Sequence, residues 1–556
     1  MTVRSDSSAD SRAAASRPVR RRRLPTVVAG RPVRLRASVA AAVLLVVVSA
    51  LPIPAGVSTP IVAPRPAPVD AATAPGDVGT EDMTYGSSVS GPTAEKPQSK
   101  LWWNDGVWWG ILWSRQGSTY DIWKFNWNAD SWSDTGTAVE TRNRTRADAL
   151  WDGTKLYVLS HPKEGTTQGD LGIKVLRFSY STSTKKYTLD GGFPVTVATE
   201  AVEAGVIDKD TTGKLWITYT LANSSTTRAV YVAHTTTSDT TWTTPFVIPA
   251  TGATNLTSDD ISALVSYNGK IGVMWSNQNA GTMYFASHTD GAADSAWVQN
   301  PALQGPSYAD DHINLKSLQA DASGQVFAAV KTSLNDVNPP TSQQPLILLL
   351  ILDAHGSWQR RTFGVVADNH TRPMVLIDNQ NRQLYMFAVA PCCSGGVIYM
   401  KQTSLDNPNF ASGIGTPFIS IAADPIMTNP TSTKQPVNST TGILVEAADD
   451  HSQKYAHNKI SLAPADNTPP DTSISAGPSG TVASGSASFS FSATETGSTF
   501  ACSLDGATPS ACTSPKAYSG LADGDHTFTV AATDAAGNTD PTPASRSWTI
   551  DTTAPA

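Results

Sequence analysis

The chain has 556 residues with a formal charge of −7, and 40% of its residues are hydrophobic while 16% are charged. This length is too great for one ordinary domain, and the low charge content favours short strands joined by turns over a helical protein. Residues 1–36 hold ten Arg against two Asp, a surplus of eight positive charges that leaves −15 on the rest of the chain. So acidic a body argues against a nucleic-acid partner, because phosphate binding needs clustered Lys and Arg.

The first segment, residues 1–51, has the pattern of an export signal. Its arginines lead into VAAAVLLVVVSAL, an apolar run of thirteen residues at Val39–Leu51, and then into small residues and prolines. A basic, an apolar and a small-residue region in this order are typical of a secretory signal peptide. A spanning helix needs about 20 apolar residues, yet an uncleaved anchor stays open as the alternative. We therefore expect a secreted or surface-attached protein that contacts the membrane only through this segment, if the segment is not cleaved.

Residues 52–83 are predicted to form a disordered, partly extended tether. Prolines recur among Ala and Val in this segment, at positions Pro52, Pro54, Pro60, Pro64, Pro66 and Pro68. Such a composition keeps a chain extended and works as a spacer.

Residues 84–464 contain a repeated sequence motif, in which two apolar runs flank a tight turn. The first copy is KLWWNDGVWWGILW at Lys100–Trp113, where Asp105-Gly106 suits the φ > 0 corners of a hairpin. The turn residues are 47 to 61 positions apart, at Gly106, Gly153, Gly213, Gly269, Gly324, Asn381 and Gly442. A third strand follows each hairpin and a fourth often begins at a Trp, which predicts a β-propeller. Seven units favour seven blades, and six is the alternative if the first and last units share a blade.

Eight tryptophans lie between Trp102 and Trp132. Alternation along strands predicts that most of them pack between blades, with Trp103 and Trp109 as the candidates for exposure and sugar stacking.

Two short turns carry a resemblance to a known family. SDTTW at Ser238–Trp242 and ADSAW at Ala293–Trp297 resemble degenerate Asp-boxes, the S-x-D-x-G-x-T-W turn of sialidase-like (BNR) propellers. The resemblance covers roughly residues 90–460 and implies the propeller fold. The resemblance does not imply sialidase activity, since the sequence has no complete Asp-box and no F/Y-R-I-P arginine motif.

The C-terminal part is predicted to be a second all-β unit, residues 471–556, after the linker 465–470. Phe489 and Phe491 alternate with Ser, as half-buried strands require. The pattern CSLDG…C…GLADGDHTF…ATDAAGNTDPTPA resembles bacterial Ig-like modules of secreted proteins, which implies a β-sandwich with a spacer or adhesion role.

The four cysteines suit an oxidising compartment. Cys502 and Cys512, ten residues apart across a turn, are predicted to form a disulfide. Cys392 and Cys393 are adjacent, so they form either a vicinal bridge or two thiols. A zinc site there lacks a second pair of Cys or His ligands at the usual spacing.

The residues that precede the first strand of each repeat are the predicted ligand site, because in a propeller these positions surround the mouth of the central channel. The candidates are Lys96, Arg146, Asp148, Glu200, Glu203, Asp259, Asp260, Asp310, Asp311, His312, His370 and Arg372. Paired carboxylates suit glycoside cleavage, and Arg146 with Arg372 suits a bidentate clamp on a carboxylate. The structural alternative is a solvated rim in which these charges pair with each other.

The common nucleotide, metalloprotease and serine-hydrolase motifs are missing from the sequence, so we expect no cofactor and no bound metal. The leading hypothesis is recognition of an extracellular glycan or protein by the mouth. A glycan-cleaving hydrolase or lyase, with no catalytic residue assigned, is the first alternative, and a non-catalytic surface scaffold is the second.

Overall fold

The computed structural model describes residues 77–553, without residues 90, 94–95, 168, 222–227, 318–323, 393–395, 422–425 and 535. The signal segment, the tether up to residue 76 and Cys393 lie outside this range, so the inferences about them stay predictions. The described part is all-β, as predicted, with two single turns of 3-10 helix at Gln278–Ala280 and Val366–Asp368. No helix among the described residues is long and apolar enough to cross a membrane.

Within the described residues, the chain between positions 80 and 460 forms seven antiparallel sheets of four or five strands. Strand β1 (Thr80–Thr84) belongs to the last of them. The first sheet contains β2 (Leu101–Asn104), β3 (Val107–Ser114), β4 (Thr119–Asn126) and β5 (Ser131–Glu140). The second contains β6 (Thr145–Trp151), β7 (Lys155–Pro162), β8 (Gly172–Ser181), β9 (Lys186–Leu189) and β10 (Val195–Thr199). The third contains β11 (Gly205–Lys209), β12 (Leu215–Leu221), β13 (Ala229–His234) and β14 (Phe246–Val247).

The fourth sheet contains β15 (Ser262–Tyr267), β16 (Lys270–Asn277), β17 (Thr282–Thr289), β18 (Trp297–Gln299) and β19 (Leu303–Gln304). The fifth contains β20 (Ile313–Ser317), β21 (Val326–Lys331), β22 (Pro345–Leu352) and β23 (Trp358–Val365). The sixth contains β24 (Thr371–Asp378), β25 (Gln383–Ala390), β26 (Val397–Ser404) and β27 (Thr416–Ile419). The seventh contains β28 (Met427–Thr431), β29 (Ile443–Asp449) and β30 (Lys454–Ile460), with β1 at its edge.

In each sheet the predicted turn residue lies between the first and the second strand. In the first, Asn104 pairs with Val107, and Asp105 and Gly106 between them both have positive φ (54° and 78°). Two left-handed residues make a turn whose twist matches that of the flanking strands. In the sixth repeat the positive φ falls on Arg382 (51°), next to the predicted turn residue Asn381.

The first strands of successive sheets contact each other and close a ring. Neighbouring first strands touch in the order β2, β6, β11, β15, β20, β24 and β28. The seventh sheet meets the first where the backbone N–H of Leu101 donates to the carbonyl oxygen of Ser432 (3.1 Å). The first strands therefore surround a common axis, and the residues that precede them gather at one face, as in a β-propeller. The hairpin turns after the first strands lie at the opposite face.

Most of the clustered tryptophans are packed in this part of the chain. Trp102 and Trp108 are 1% exposed and Trp109 is fully buried. Trp109, one of the two candidates for exposure, thus belongs to the core. Trp103 is half-buried.

The C-terminal unit consists of two sheets. Its strands are β31 (Thr472–Ala476), β32 (Gly480–Val482), β33 (Ala487–Ala493), β34 (Thr499–Leu504), β35 (Ser510–Cys512), β36 (Lys516–Tyr518), β37 (Gly524–Thr533) and β38 (Ala544–Ile550). One sheet has the order β31-β33-β36 and the other β32-β38-β37-β34-β35. Their shared core includes Phe489, Phe491 and Phe528. The predicted disulfide joins Cys502 on β34 to Cys512 on β35.

Candidate functional site

The first group of polar side chains at the mouth, which we call the acidic cluster, contains Lys96, Glu203, Asp259, Asp310, Asp311 and His312. The ammonium of Lys96 forms ion pairs with Glu203 (2.5 Å) and with Asp311. These three residues precede the first strands of three different sheets. The ring closure therefore brings together charges that lie more than 100 positions apart in the sequence, 107 for Lys96 and Glu203.

His312 lies at the buried side of this cluster. Its Nδ1 hydrogen bonds to Asp310 and lies 2.6 Å from Oδ1 of Asp311, while its Nε2 lies 3.1 Å from the hydroxyl of Thr371. Burial lowers the pKa of His312, but the carboxylates of Asp311 and Asp310 outweigh it and raise the pKa above its ordinary value. The two carboxylates thus favour the protonated imidazole, and His312 holds them in position through its ring nitrogen.

The carboxyl groups of the acidic cluster have different pKa values. Burial opposes ionisation of Asp311, yet the charges of His312 and Lys96 hold its pKa well below the usual range. Asp259 is exposed, and partial burial and the charge of Asp311 raise its pKa. Glu164, at the rim, also has a raised pKa because of burial and the charge of Asp259. The mouth thus holds an ionised carboxylate beside carboxyl groups that retain a proton more readily.

Glu203, Asp259 and Asp311 each place a carboxylate oxygen within 4.8 Å of the others. Three such oxygens form a set that suits a hard cation. The ammonium of Lys96 already lies between two of them and supplies the positive charge. Lys96 therefore offsets part of the negative charge of these three carboxylates.

The second group at the mouth, which we call the arginine group, contains Arg146, Arg372 and Asn429. Nε of Arg372 donates to Oδ1 of Asn429 (2.7 Å). A Cβ atom built on Gly91 would lie 3.1 Å from Nη2 of Arg146 and 3.4 Å from Nδ2 of Asn429, so these two side chains meet beside this glycine and Arg372 is joined to them through Asn429. Arg372 and Asn429 both have positive φ (51° and 47°), a conformation that non-glycine residues rarely adopt and that is concentrated at functional sites.

The remaining four predicted site residues have other environments. Asp148 is fully buried and accepts from the backbone N–H of Ser99 (2.8 Å) and of Ile207 (2.9 Å) and from Lys434 (2.6 Å). Asp260 accepts from the backbone N–H groups of Thr257 (2.7 Å) and Gln278 (3.1 Å). These two aspartates tie backbone segments together.

His370 is fully buried and Glu200 is half-buried. Nε2 of His370 donates to the carbonyl oxygen of Ile414 (2.9 Å), and burial lowers the pKa of His370 to about 4. Glu200 lies next to the buried Tyr219, whose pKa is raised by burial and by the charge of Glu200. The structure does not bring His370 to either group at the mouth.

Several residues of the site were missed in the sequence. Lys331 ends β21 and pairs with Asp310 (2.5 Å), and Thr371 begins β24 beside His312. Lys331 could have been predicted from the antiparallel pairing of the hairpin. The end of each second strand returns to the face where the first strand begins, so polar residues at that end also reach the mouth. Glu164 lies in a loop and has no such signal.

No family model and no curated protein matches the chain. Among solved structures, a mutant of Trypanosoma rangeli sialidase displaying trans-sialidase activity is 9% identical, with 81% of this chain and 90% of that chain covered and a TM-score of 0.37. The extracellular domain assigned to a hybrid two-component system of B. thetaiotaomicron is 13% identical, with 85% of this chain and 57% of that chain covered and a TM-score of 0.33. The periplasmic gluconolactonase of Pseudomonas aeruginosa is 11% identical, with 84% and 95% covered and a TM-score of 0.33. Such low values assign no activity to this chain.

Proposed function

We propose that this chain is an exported protein, with a seven-bladed propeller and a C-terminal Ig-like domain, that recognises an extracellular glycan at the propeller mouth. The observation that carries the proposal is the presence of two charged groups of opposite character at one face, the acidic cluster and the arginine group. Carboxylates accept hydrogen bonds from sugar hydroxyls, and guanidinium and amide groups donate to sugar oxygens. A mouth with both kinds of group offers an oligosaccharide hydrogen-bond acceptors and donors.

Export of the protein is supported by chemistry outside the mouth. The disulfide between Cys502 and Cys512 requires an oxidising compartment to persist. The acidic body, with −15 outside the N-terminal segment, suits a soluble surface protein better than a partner of nucleic acid.

The test is a glycan-array screen with the full-length protein and the Asp259→Asn variant. Asp259 is exposed, so its amide replacement leaves the fold intact while it removes one charged acceptor from the mouth. We expect the variant to bind the recognised glycan about tenfold or more weakly, the loss typical of one hydrogen bond to a charged group. Asp406→Asn, at an exposed turn of the sixth sheet, is the matched control and should bind as the wild type does. A wild-type protein that binds no glycan, or an Asp259→Asn variant with full affinity, would contradict the proposal.

Glycan cleavage is the second candidate function, and the opposed pKa values of Asp259 and Asp311 favour it. A carboxyl whose pKa is raised beside one whose pKa is held low is the kind of pair that serves as general acid and nucleophile. Their oxygens lie within 4.8 Å, close to the separation of about 5 Å in retaining glycosidases. Mass spectrometry of glycans incubated with the protein tests this function: cleavage lost in both Asp259→Asn and Asp311→Asn would establish an enzyme, and intact glycans would exclude one. A protein that neither binds nor cleaves would be a scaffold.

A further inference from the structure

A concave surface of about 540 Å³ lies on the first sheet, between the turn after β2 and the turn after β4. We call it the tryptophan groove and define it by Trp103, Trp108, Trp127, Lys124, Asn126 and Asn128. Its volume falls within the range of about 300–1,000 Å³ that is typical of small-molecule sites.

The groove and the mouth lie at opposite faces of the ring. Lys96 precedes β2 at the mouth, and β2 then runs away from it to Asn104 and the turn at Asp105. At that turn, Asp105 accepts from the hydroxyl of Tyr180 (2.6 Å), on the last part of β8. The tryptophan groove is therefore a separate site and does not depend on the function proposed for the mouth.

The indole rings of the groove are held in place by packing. Trp108 is 1% exposed, packs edge-to-face on Trp103 with ring centroids 5.8 Å apart, and donates from Nε1 to the carbonyl oxygen of Thr441 (2.8 Å). The ammonium of Lys459 lies 5.2 Å from the ring centroid of Trp127. Trp103 and Trp127 are half-buried, so each retains a solvent-accessible part in the groove. Fixed aromatic rings lose little conformational entropy when a ligand packs on them.

The polar residues of the groove match the rim of a sugar ring. Asn126 and Asn128 are exposed and carry amides that both donate and accept. A pyranose has an apolar C–H face that packs on an indole and hydroxyls around its edge that bond to such amides. The mixture of flat apolar and edge-on polar groups fits a sugar better than a fully apolar ligand.

The charge of the groove favours an acidic sugar. Lys124 is the one charged residue among those that line it; its ammonium lies 6.0 Å from the ring centroid of Trp109, and within the described part of the chain it forms no ion pair with a carboxylate. The neighbouring Lys185 is by contrast paired with Asp105 (2.5 Å). After the hydrogen bond from Lys185, the charge of Lys124 also helps to lower the pKa of Asp105, but no ion pair neutralises this charge, which is the complement of a ligand carboxylate on a body of charge −15.

We propose that the tryptophan groove is a second carbohydrate site, which binds an acidic oligosaccharide with one pyranose ring on Trp103 or Trp127 and a carboxylate facing Lys124. The protein then holds glycans at both faces of the ring, one at the mouth and one at the groove.

The experiment is isothermal titration of the full-length protein with uronic-acid oligosaccharides from pectin, alginate and hyaluronan, each beside its carboxyl-reduced counterpart. We expect at least one acidic oligosaccharide to bind, and to bind more tightly than its reduced form. Lys124→Gln should abolish that preference, because it removes the charge and keeps a polar side chain. Trp127→Ala should weaken both forms about tenfold or more, the loss typical of a stacked aromatic ring.

Two controls separate the groove from the mouth and from misfolding. Trp297→Ala removes a half-buried indole of the fourth sheet outside the groove, and Asp259→Asn changes the mouth; both should bind the acidic oligosaccharide as the wild type does. Trp127→Phe keeps an aromatic ring and should retain most of the affinity. The proposal is overturned if no uronic-acid oligosaccharide binds, if Lys124→Gln and Trp127→Ala leave binding unchanged, or if Asp259→Asn alone abolishes it.

Discussion

A group of ionisable side chains is buried where the ring closes. Nδ1 of His457 lies 2.6 Å from Asp82 and its Nε2 lies 3.1 Å from Asp130. Beside them Glu446 is fully buried and accepts from Nε1 of Trp132 (2.9 Å). Burial and the charge of Asp82 raise the pKa of Glu446 well above its ordinary value. Since a buried carboxyl group is costly to ionise, Glu446 holds its proton more readily in the folded than in the unfolded chain.

At the residue scale we predict that Glu446→Gln removes a pH dependence of stability. The pKa of Glu446 is higher in the folded than in the unfolded chain, so the unfolded chain loses this proton first. Stability therefore falls as the pH rises from the unfolded value of 4.5 toward the folded one. Gln is neutral at every pH and still accepts from Trp132. Denaturant unfolding between about pH 5 and pH 8 should show the variant gaining about 1 kcal/mol or more over the wild type.

Glu81→Gln is the matched control for this measurement. Glu81 lies on β1 next to Asp82, and its side chain is 36% exposed, so the amide should change the pH profile little. Parallel pH profiles for Glu446→Gln and the wild type would show that Glu446 is ionised in the folded protein.

At the scale of the strands, one inter-sheet contact recurs along the first strands. Asp148 in β6 accepts from the backbone N–H of Ile207, Asp208 in β11 from that of Ser266 (2.9 Å), and Asn314 in β20 from that of Val375 (3.2 Å). These bonds satisfy backbone donors that no strand of the same sheet reaches. Polar residues recur in the repeat partly because the sheets are joined this way.

We predict that removal of the disulfide between β34 and β35 lowers the stability of the C-terminal unit. The bond between Cys502 and Cys512 closes a short loop, and the variant Cys502→Ala/Cys512→Ala should lose about 2–3 kcal/mol of unfolding free energy. Scanning calorimetry measures this as a lower melting temperature for the transition of the C-terminal unit. The wild type in reductant should show the same shift, and Ser510→Ala on the same strand should show none. The prediction would be contradicted if neither the Cys502→Ala/Cys512→Ala variant nor the reduced wild type showed a lower melting temperature.

At the scale of the whole molecule, β1 closes the ring by pairing with β30. Thr80 lies opposite His457 and Glu81 opposite Ala456. Just after β1, the hydroxyl of Tyr85 donates to the carbonyl oxygen of Asp449 (2.7 Å), and its ring packs on Tyr455 with centroids 5.2 Å apart. The start and the end of the repeat region therefore share one sheet, which ties the two ends of the ring together.

Tyr85 should therefore contribute more to stability than a tyrosine within one repeat. Tyr85 is 1% exposed, and Tyr85→Ala should reduce the free energy of unfolding by about 3–5 kcal/mol through the cavity it leaves. Tyr85→Phe keeps the ring, loses one hydrogen bond and should cost about 1 kcal/mol. Chemical denaturation measures both values. Tyr284→Ala, at a half-buried position of the fourth sheet, is the comparison, and an equal or larger loss there would show that closure contributes little.

The sequence by itself determined the local structure. The two left-handed residues at Asp105-Gly106 and the alternation of Phe489 and Phe491 act over a few positions, because backbone dihedral preference and strand period are properties of neighbouring residues. These patterns were sufficient to predict the all-β class and the repeated hairpins. The short spacing of Cys502 and Cys512 across a turn was sufficient to predict their disulfide.

Only the tertiary structure decided which polar residues share a site. Lys96 and Asp311 lie 215 positions apart, and they meet because the ring closes. Asp148 and Asp311 both lie near the start of a first strand and both belong to the predicted site, yet Asp148 ties backbone strands together inside the ring and Asp311 faces the mouth. Local pattern cannot separate them, because their roles depend on which neighbouring sheet each side chain meets. The tryptophan groove has the same origin, since Trp103 and Trp127 become neighbours only when β2 and β4 are placed in one sheet beside the seventh.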